Sequence, residues 1–251
     1  MEKIKVLDST DEKQLLIIPH ADDELFGAYA LNKIQGNNIL YAYCGFTGSN
    51  REKENAVTRK KEFDCFIDSI KAQAFIMNDI EKLYDIIQDN NITRVYLPSV
   101  IDWHYEHRLT NYMLLQICNK LNRRLHIYWY MVTVPIITKR ERLIVPMSKK
   151  EQREKYKLFY RVYKSQRHMP IKRFVIHEKL AVAGEKYYAA ESFVEMEFSM
   201  WKKIVLFLQD IESTNNVLIR EIVELKHKIN SVTEIRAVSR GIFLELEKNW
   251  E

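Results

Sequence analysis

The chain has 251 residues, 47% of them hydrophobic and 29% charged, with 39 Lys+Arg against 34 Asp+Glu and a formal net charge of +5. Only 6 Gly and 5 Pro occur, about 4% of the chain where roughly 12% is usual. This excludes collagen-like and Pro- or Gly/Ser-rich linker architectures and disfavours an all-β sandwich with its frequent turns. Three cysteines, Cys44, Cys65 and Cys118, are too few and odd in number for a disulfide framework. Cys65 and Cys118 stand among apolar neighbours and read as small core residues. No run approaches ~18 apolar residues, so no transmembrane helix is encoded. The start, MEKIKVLDSTDEKQ, is charged throughout and lacks the apolar core of a secretion signal, so a cytoplasmic location is expected.

In chain order, Leu15–Ile18 is a buried-strand run ending at Pro19-His20, and a helix is predicted from Glu24 to Gln35. A turn at Asn37-Asn38 leads to a strand over Ile39–Tyr43, a polar loop over Gly45–Asn50 and a helix over Glu52–Ser69. A short strand at Phe75–Met77, a helix over Ile80–Gln88 and a strand over Arg94–Pro98 follow. A helix from Arg108 to Asn122 and a strand from Leu125 to Val134 complete the pattern, with Trp129-Tyr130 expected in the core. Strands alternating with helices predict an α/β, Rossmann-like fold, a mostly parallel sheet covered by helices. In such sheets ligands bind beyond the carboxyl ends of the strands. From about Met200 the pattern is wholly helical. Leu218, Ile222, Leu225, Ile229 and Val232 keep 4-3-4-3 spacing until Ile235 breaks it, too short a run for a coiled coil. Ser213–Asn216 reads as the loop and N-cap before this helix. A C-terminal helical extension over 200–251 is therefore expected, as a hairpin packed on the domain or an interface of a homo-oligomer.

Two loops on the same predicted sheet edge are rich in ligating side chains: Pro19-His20-Ala21-Asp22-Asp23-Glu24 after the first strand, and Asp102-Trp103-His104-Tyr105-Glu106-His107 after the Val95–Leu97 strand. Taken singly, the first could be an N-cap, with Asp22 or Asp23 serving free N–H groups, and the second a structural His pair. Together they can converge on one ion with mixed nitrogen and oxygen ligation. Three protein ligands and an open position are the pattern of catalytic zinc, and no cysteine of a structural site is present in either loop.

These motifs, roughly 85 residues apart, resemble those of the PIG-L/LmbE-like zinc-dependent N-acetylglucosamine deacetylases. Supporting segments are Thr47-Gly48, Arg59-x-x-Glu62, Tyr163-Lys164-Ser165-Gln166 and Ala190-Glu191-Ser192-Phe193, so the likeness spans about residues 13–198. The resemblance implies a deacetylase domain over 1–199, with His20, Asp23 and His107 binding Zn2+ or another divalent ion such as Fe2+. It implies Asp22 as general base, and His104 as the group that protonates the leaving amine or stabilises the oxyanion. Arg59 would support the pocket, pairing with Glu62 or reaching substrate oxygens. Three positions depart from the family pattern. Ala21 replaces a proline, Glu106 replaces an aspartate expected to orient an imidazole, and Gly27-Ala28 replaces Gly-Gly. The implied activity is hydrolysis of the N-acetyl group of an N-acetylglucosamine-type sugar or glycoconjugate. The alternatives are an amidase on a non-sugar N-acyl group and a non-catalytic carbohydrate-binding relative. His126, His168, His177 and His227 have no comparable neighbours and read as ordinary residues.

The charge is unevenly placed. Residues 139–173 hold 13 Lys+Arg against 3 Asp+Glu, a surplus of ten that leaves the rest of the chain at −5. This segment reads either as a solvated basic helix around Lys149–Arg161 or as a surface attracting a phosphate- or lipid-linked substrate or an anionic membrane. Its interspersed Tyr156, Phe159, Tyr160 and Tyr163 make base stacking conceivable, but no nucleic-acid motif accompanies them and no nucleic-acid partner is expected. Residues 134–176 are expected to overhang the pocket and to shape the choice of sugar carrier.

Overall fold

The computed structural model describes residues 4–46, 52–77, 79–121, 123–214 and 216–250. Among these residues eight strands form one sheet: β1 (Ile4–Val6), β2 (Gln14–Ile18), β3 (Ile39–Tyr43), β4 (Gln73–Ile76), β5 (Arg94–Pro98), β6 (His126–Tyr130), β7 (Arg142–Met147) and β8 (Ala189–Met196). Their order is β1-β7-β8-β6-β5-β2-β3-β4, parallel throughout except for β8, which is antiparallel to both β6 and β7. The helices are α1 (Asp23–Gln35), α2 (Glu52–Ile70), α3 (Ile80–Asp89), α4 (Tyr105–Leu121), α5 (Lys149–Val162), α6 (Ile171–Leu180), α7 (Phe198–Glu212), α8 (Val217–Glu224) and α9 (Val232–Trp250).

The expected α/β fold is the one observed, and alternation along the strands explains its layers. Leu15 and Ile17 of β2, Val95 and Leu97 of β5, and Ile127 and Trp129 of β6 enter one core with α3, α4 and α7–α9. Their neighbours Leu16, Ile18, Tyr96, Tyr128 and Tyr130 enter the opposite core with α1, α2, α5 and α6. A sheet covered on both faces needs strands apolar at every position, which is why β2 reads as a continuous run. β2 pairs with β3 on one flank and β5 on the other. The helices that follow β2 and β5 go to opposite faces, so a crevice opens at the carboxyl ends of these two strands.

Several expectations need correction. The segment 134–176 contributes β7 to the sheet rather than forming only an overhang, and β8 was not anticipated as a strand. The single helix expected from Leu218 to Val232 is two helices separated by a 3-10 turn at Leu225–Lys228. Leu218, Ile222 and Leu225 are buried in the same core as Trp201 and Phe243, so these helices pack on the sheet domain. Asn216 caps α8, its side chain accepting the Leu218 N–H at 2.8 Å. Cys65 is exposed rather than buried, whereas Cys118 is buried. The basic helix α5 is not wholly solvated: Tyr156, Phe159 and Tyr163 are buried, so these three rings cannot stack on a base, and Lys155 is 0% exposed.

Lys155 explains a break in α1. Its Nζ donates to Phe26 C=O at 3.1 Å and to Glu178 and Glu191, each at 2.6 Å. Glu191 in turn accepts the Ala30 N–H at 2.8 Å. The two backbone groups that would bond each other across one turn are thus held by an inserted ion pair, and α1 kinks at Ala28 (φ −146°). At the same turn α1 presses on β6: a Cβ on Gly27 would lie 2.2 Å from Tyr130 Cδ2 and 2.8 Å from Met131 O. Only glycine fits there.

Candidate metal centre

β2 delivers Pro19-His20 to the crevice, and the next turn is tied by its own side chain. The His20 N–H donates to Asp23 Oδ2 at 2.9 Å, and the Asp23 N–H to His20 C=O at 3.2 Å. From the other flank, β5 leads through Asp102 to α4, whose first turn carries His107. Three donor atoms meet: His20 Nδ1 lies 3.1 Å from His107 Nε2 and 3.2 Å from Asp23 Oδ2, and His107 Nε2 lies 3.3 Å from that same oxygen. All three residues are buried and can hold a metal ion.

This triangle can be tested for fit. Zinc takes nitrogen and carboxylate ligands at about 2.0–2.1 Å with tetrahedral angles, which places ligand atoms about 3.3 Å apart. The observed separations match one face of such a tetrahedron. The charges agree. Burial alone would lower the His107 pKa, but Asp102 and Asp23 overcome this and raise it to about 10. Burial works to raise Asp23, yet His107 and His20 hold it well below the usual carboxylate range. A buried, carboxylate-rich cluster that pulls this strongly on a proton is one a divalent cation would satisfy.

Asp102 was not singled out as a site residue, yet it sets the orientation of His107. Its Oδ2 lies 3.1 Å from His107 Nδ1 and accepts Thr133 Oγ1–H at 2.6 Å, while Oδ1 accepts the His104 N–H at 3.0 Å. Burial pushes its carboxyl up, but His107 outweighs this and brings it to about 2. A carboxylate this close to Nδ1 favours the proton on that nitrogen, which would leave Nε2 free to face an ion. The available signal was its place as the first residue of the second motif.

Asp22 and Asp23 are adjacent but face apart. Asp22 has φ 126°, a conformation that L side chains rarely adopt. Its N–H donates to Glu24 Oε2 at 3.1 Å, and its C=O accepts the N–H groups of Leu25 and Phe26 at 3.0 Å. It occupies the N-cap position of α1, but its side chain makes no capping bond, so the capping reading fails for Asp22. Its Oδ1 instead accepts from Arg59 at 3.1 Å. Burial raises the Asp22 carboxyl to about 7 even against the Arg59 charge.

Arg59 therefore pairs with Asp22, not with Glu62. Glu62 accepts the Ser165 N–H at 2.8 Å and Oγ–H at 2.6 Å, and Tyr163 OH meets Glu24. The Arg-x-x-Glu and Tyr-Lys-Ser-Gln segments thus brace the first motif, and the Glu-x-Phe segment braces α1 further on, through Glu191 and Lys155. His104 stands over the centre, its ring centroid 5.4 Å from that of His20 and 5.1 Å from that of His107. Burial, then the His107 charge, lowers its pKa to about 4, so its imidazole is neutral. Glu106 faces His20 Nε2 at 4.0 Å, too long for a hydrogen bond; with His104 and His20 it forms a second, less buried potential ligand set. Thr47-Gly48 lies outside the described residues.

No family model and no curated protein sequence matches the chain. Solved structures do. The N,N'-diacetylchitobiose deacetylase of Pyrococcus horikoshii is similar with a TM-score of 0.56 and 17% identity over 76% of this chain and 85% of that one. The zinc-inhibited form of teicoplanin deacetylase Orf2 gives 0.54 and 14% over 74% and 99%. The A40926 pseudoaglycone deacetylase Dbv21 gives 0.56 and 12% over 75% and 99%. This chain has the fold of those proteins.

Proposed function

We propose that the chain is a metal-dependent hydrolase that removes the N-acetyl group from an N-acetylglucosamine-type sugar or glycoconjugate. The observation that carries this reading is the His20–Asp23–His107 triangle, with a second carboxylate beside it that is not part of it. The structural neighbours, named as deacetylases of N,N'-diacetylchitobiose, teicoplanin and the A40926 pseudoaglycone, support it. Zinc, when bound, lowers the pKa of water to about 7 and polarises a carbonyl. His20, Asp23 and His107 would hold the ion, with Asp102 keeping His107 in the right tautomer. Asp22, turned from the triangle and held through one oxygen by Arg59, keeps its other oxygen free to take the proton of the attacking water. It can then return that proton to the departing amine, so that water and amide become acetate and amine. His104, being neutral, offers an N–H to the oxygen of the tetrahedral intermediate.

The test is a mass-spectrometric screen of zinc-loaded protein against N-acetyl sugars and N-acyl amino acids. N-acetyl sugars are expected to lose acetate. Asp22→Ala is expected to retain zinc and lose activity, and His107→Ala to lose both. Full activity in Asp22→Ala would overturn the assignment of the base; turnover of N-acyl amino acids alone would replace the sugar by another N-acyl substrate.

A further inference from the structure

A groove of about 910 Å³ lies between α2, the helix that carries Arg59, and the turn after α5. Its lining begins at Thr58, next to Arg59, and follows α2 to Ser69, about 16 Å along the helix axis. The opposite wall is Arg161, Val162, Lys164 and Ser165. Ser165 is the residue clasped by Glu62, so the groove and the base-supporting helix share a wall.

Its charge is unbalanced. Lys61, Arg161 and Lys164 line the groove, and none has an ion-pair or hydrogen-bond partner among the described residues, unlike Lys60, which pairs with Asp64 at 2.7 Å on the same helix. The lining also holds two carboxylates, Glu62, which accepts from Ser165, and Asp68, so three cations face two acids and a surplus of one positive charge remains. The surplus of the 139–173 segment thus divides. Lys155 points inward to two carboxylates, while Arg161 and Lys164 face this groove together with a lysine from a distant part of the chain. A single carboxylate would be satisfied by one guanidinium. Three cations along one channel match a group with several oxygens and more than one negative charge.

We infer that this groove binds the phosphate-bearing carrier of the substrate, a pyrophosphate linkage lying along α2 while the N-acetyl group occupies the metal centre. The inference rests on the deacetylase reading for what occupies the centre, but binding in the groove can be measured without turnover.

The experiment compares three proteins: wild type, the groove variant Lys61→Gln/Arg161→Gln/Lys164→Gln, and a control, Lys149→Gln/Lys150→Gln/Arg153→Gln. The control removes the same charge from the far end of α5, with Lys149 about 18 Å along the axis from Arg161. Calorimetric titration with inorganic pyrophosphate is expected to show binding about tenfold weaker in the groove variant and unchanged in the control. In turnover assays, KM for pyrophosphate-linked N-acetylglucosamine should rise about tenfold in the groove variant, with kcat and activity on the free sugar unchanged. A uridine-diphosphate-linked and a polyprenyl-pyrophosphate-linked substrate are run side by side, and the one with the larger KM change identifies the source of the phosphates. Equal pyrophosphate binding by all three proteins, no binding by wild type, or equal weakening in both variants would overturn the inference. Should wild type deacetylate no N-acetyl sugar, the functional reading falls, and the pyrophosphate titration alone decides the groove.

Discussion

Replacing Lys155 by Met tests whether the inserted ion pair holds α1 in place. Methionine keeps the length of the side chain and removes the ammonium. Three acceptors then lose the ammonium: Phe26 C=O, Glu178, which keeps Gln152 and Tyr156, and Glu191, which keeps the Ala30 N–H. Removing one member of a buried pair destabilises by about 3–5 kcal/mol, and an orphaned buried carbonyl adds about 1–3 kcal/mol. Relief comes from protonation, because burial already lifts the Glu191 carboxyl to about 7 despite Lys155. A net loss of about 4 kcal/mol corresponds to a fall in Tm of roughly 8–16 °C for a chain of this size. The pH dependence has a definite sign. A carboxyl whose pKa is higher folded than unfolded binds more protons in the native state, so its contribution is present at low pH and is lost as pH rises. Without Lys155 that burden grows, and the deficit of the variant should be larger at pH 8 than at pH 5.5. Thermal unfolding of both proteins at the two pH values measures this. A Tm difference below about 2 °C at pH 8, or a deficit that does not shrink on acidification, would show that the pair does not hold the kink.

Gly27→Ala should destabilise by about 1–3 kcal/mol, because the added methyl meets backbone at Met131 as well as the Tyr130 ring; a Tm equal to wild type would mean that α1 can lift from β6 freely. Asp102→Asn should leave the fold intact and weaken zinc affinity about 10- to 100-fold through the His107 tautomer, measured by competition with a chromophoric chelator; unchanged affinity would remove Asp102 from the centre. Asp22→Gly should be more stable than Asp22→Ala by about 1–2 kcal/mol, since both lose the Arg59 contact but only glycine is at ease at φ 126°. If the alanine variant melts at or above the glycine variant, the turn is not strained.

How much was legible in the sequence depended on whether a residue's role follows from its neighbours in the chain. β3 is apolar throughout and β2 and β5 are apolar after their first residues, Gln14 and Arg94, and the two motifs follow these strands, so the sheet edge and the two candidate ligand segments were readable. β8 was not, because its Glu191, Ser192 and Glu195 break an apolar run; Glu191 is tolerated there only because Lys155, 36 positions earlier, reaches it. The α8–α9 break was hidden because Leu218, Ile222 and Leu225 keep helical spacing through a 3-10 turn. Arg59 was assigned a supporting role, but its partner was not visible: local spacing favours Glu62 one turn away, while the actual carboxylate, Asp22, is 37 residues distant.

The adjacency of Asp22 and Asp23 shows why such a site needs backbone strain. In a regular helix, consecutive side chains diverge by about 100° around the axis, yet both remain on the same short turn. Two carboxylates in one buried pocket repel, and each raises the other's pKa. Here the positive φ at Asp22 turns the chain between the two. Asp23 is left with two imidazoles that keep it ionised, and Asp22 is raised by burial to about 7 against the pull of one arginine. The strained residue therefore separates a carboxylate suited to hold a cation from one suited to exchange a proton. Arg59, Glu24 and the braces from Tyr163 and Ser165 hold that separation in place. The segments spread over residues 59–193 act on this turn and on the helix it begins: Arg59 on Asp22, Tyr163 on Glu24, and Glu191 on the Ala30 N–H.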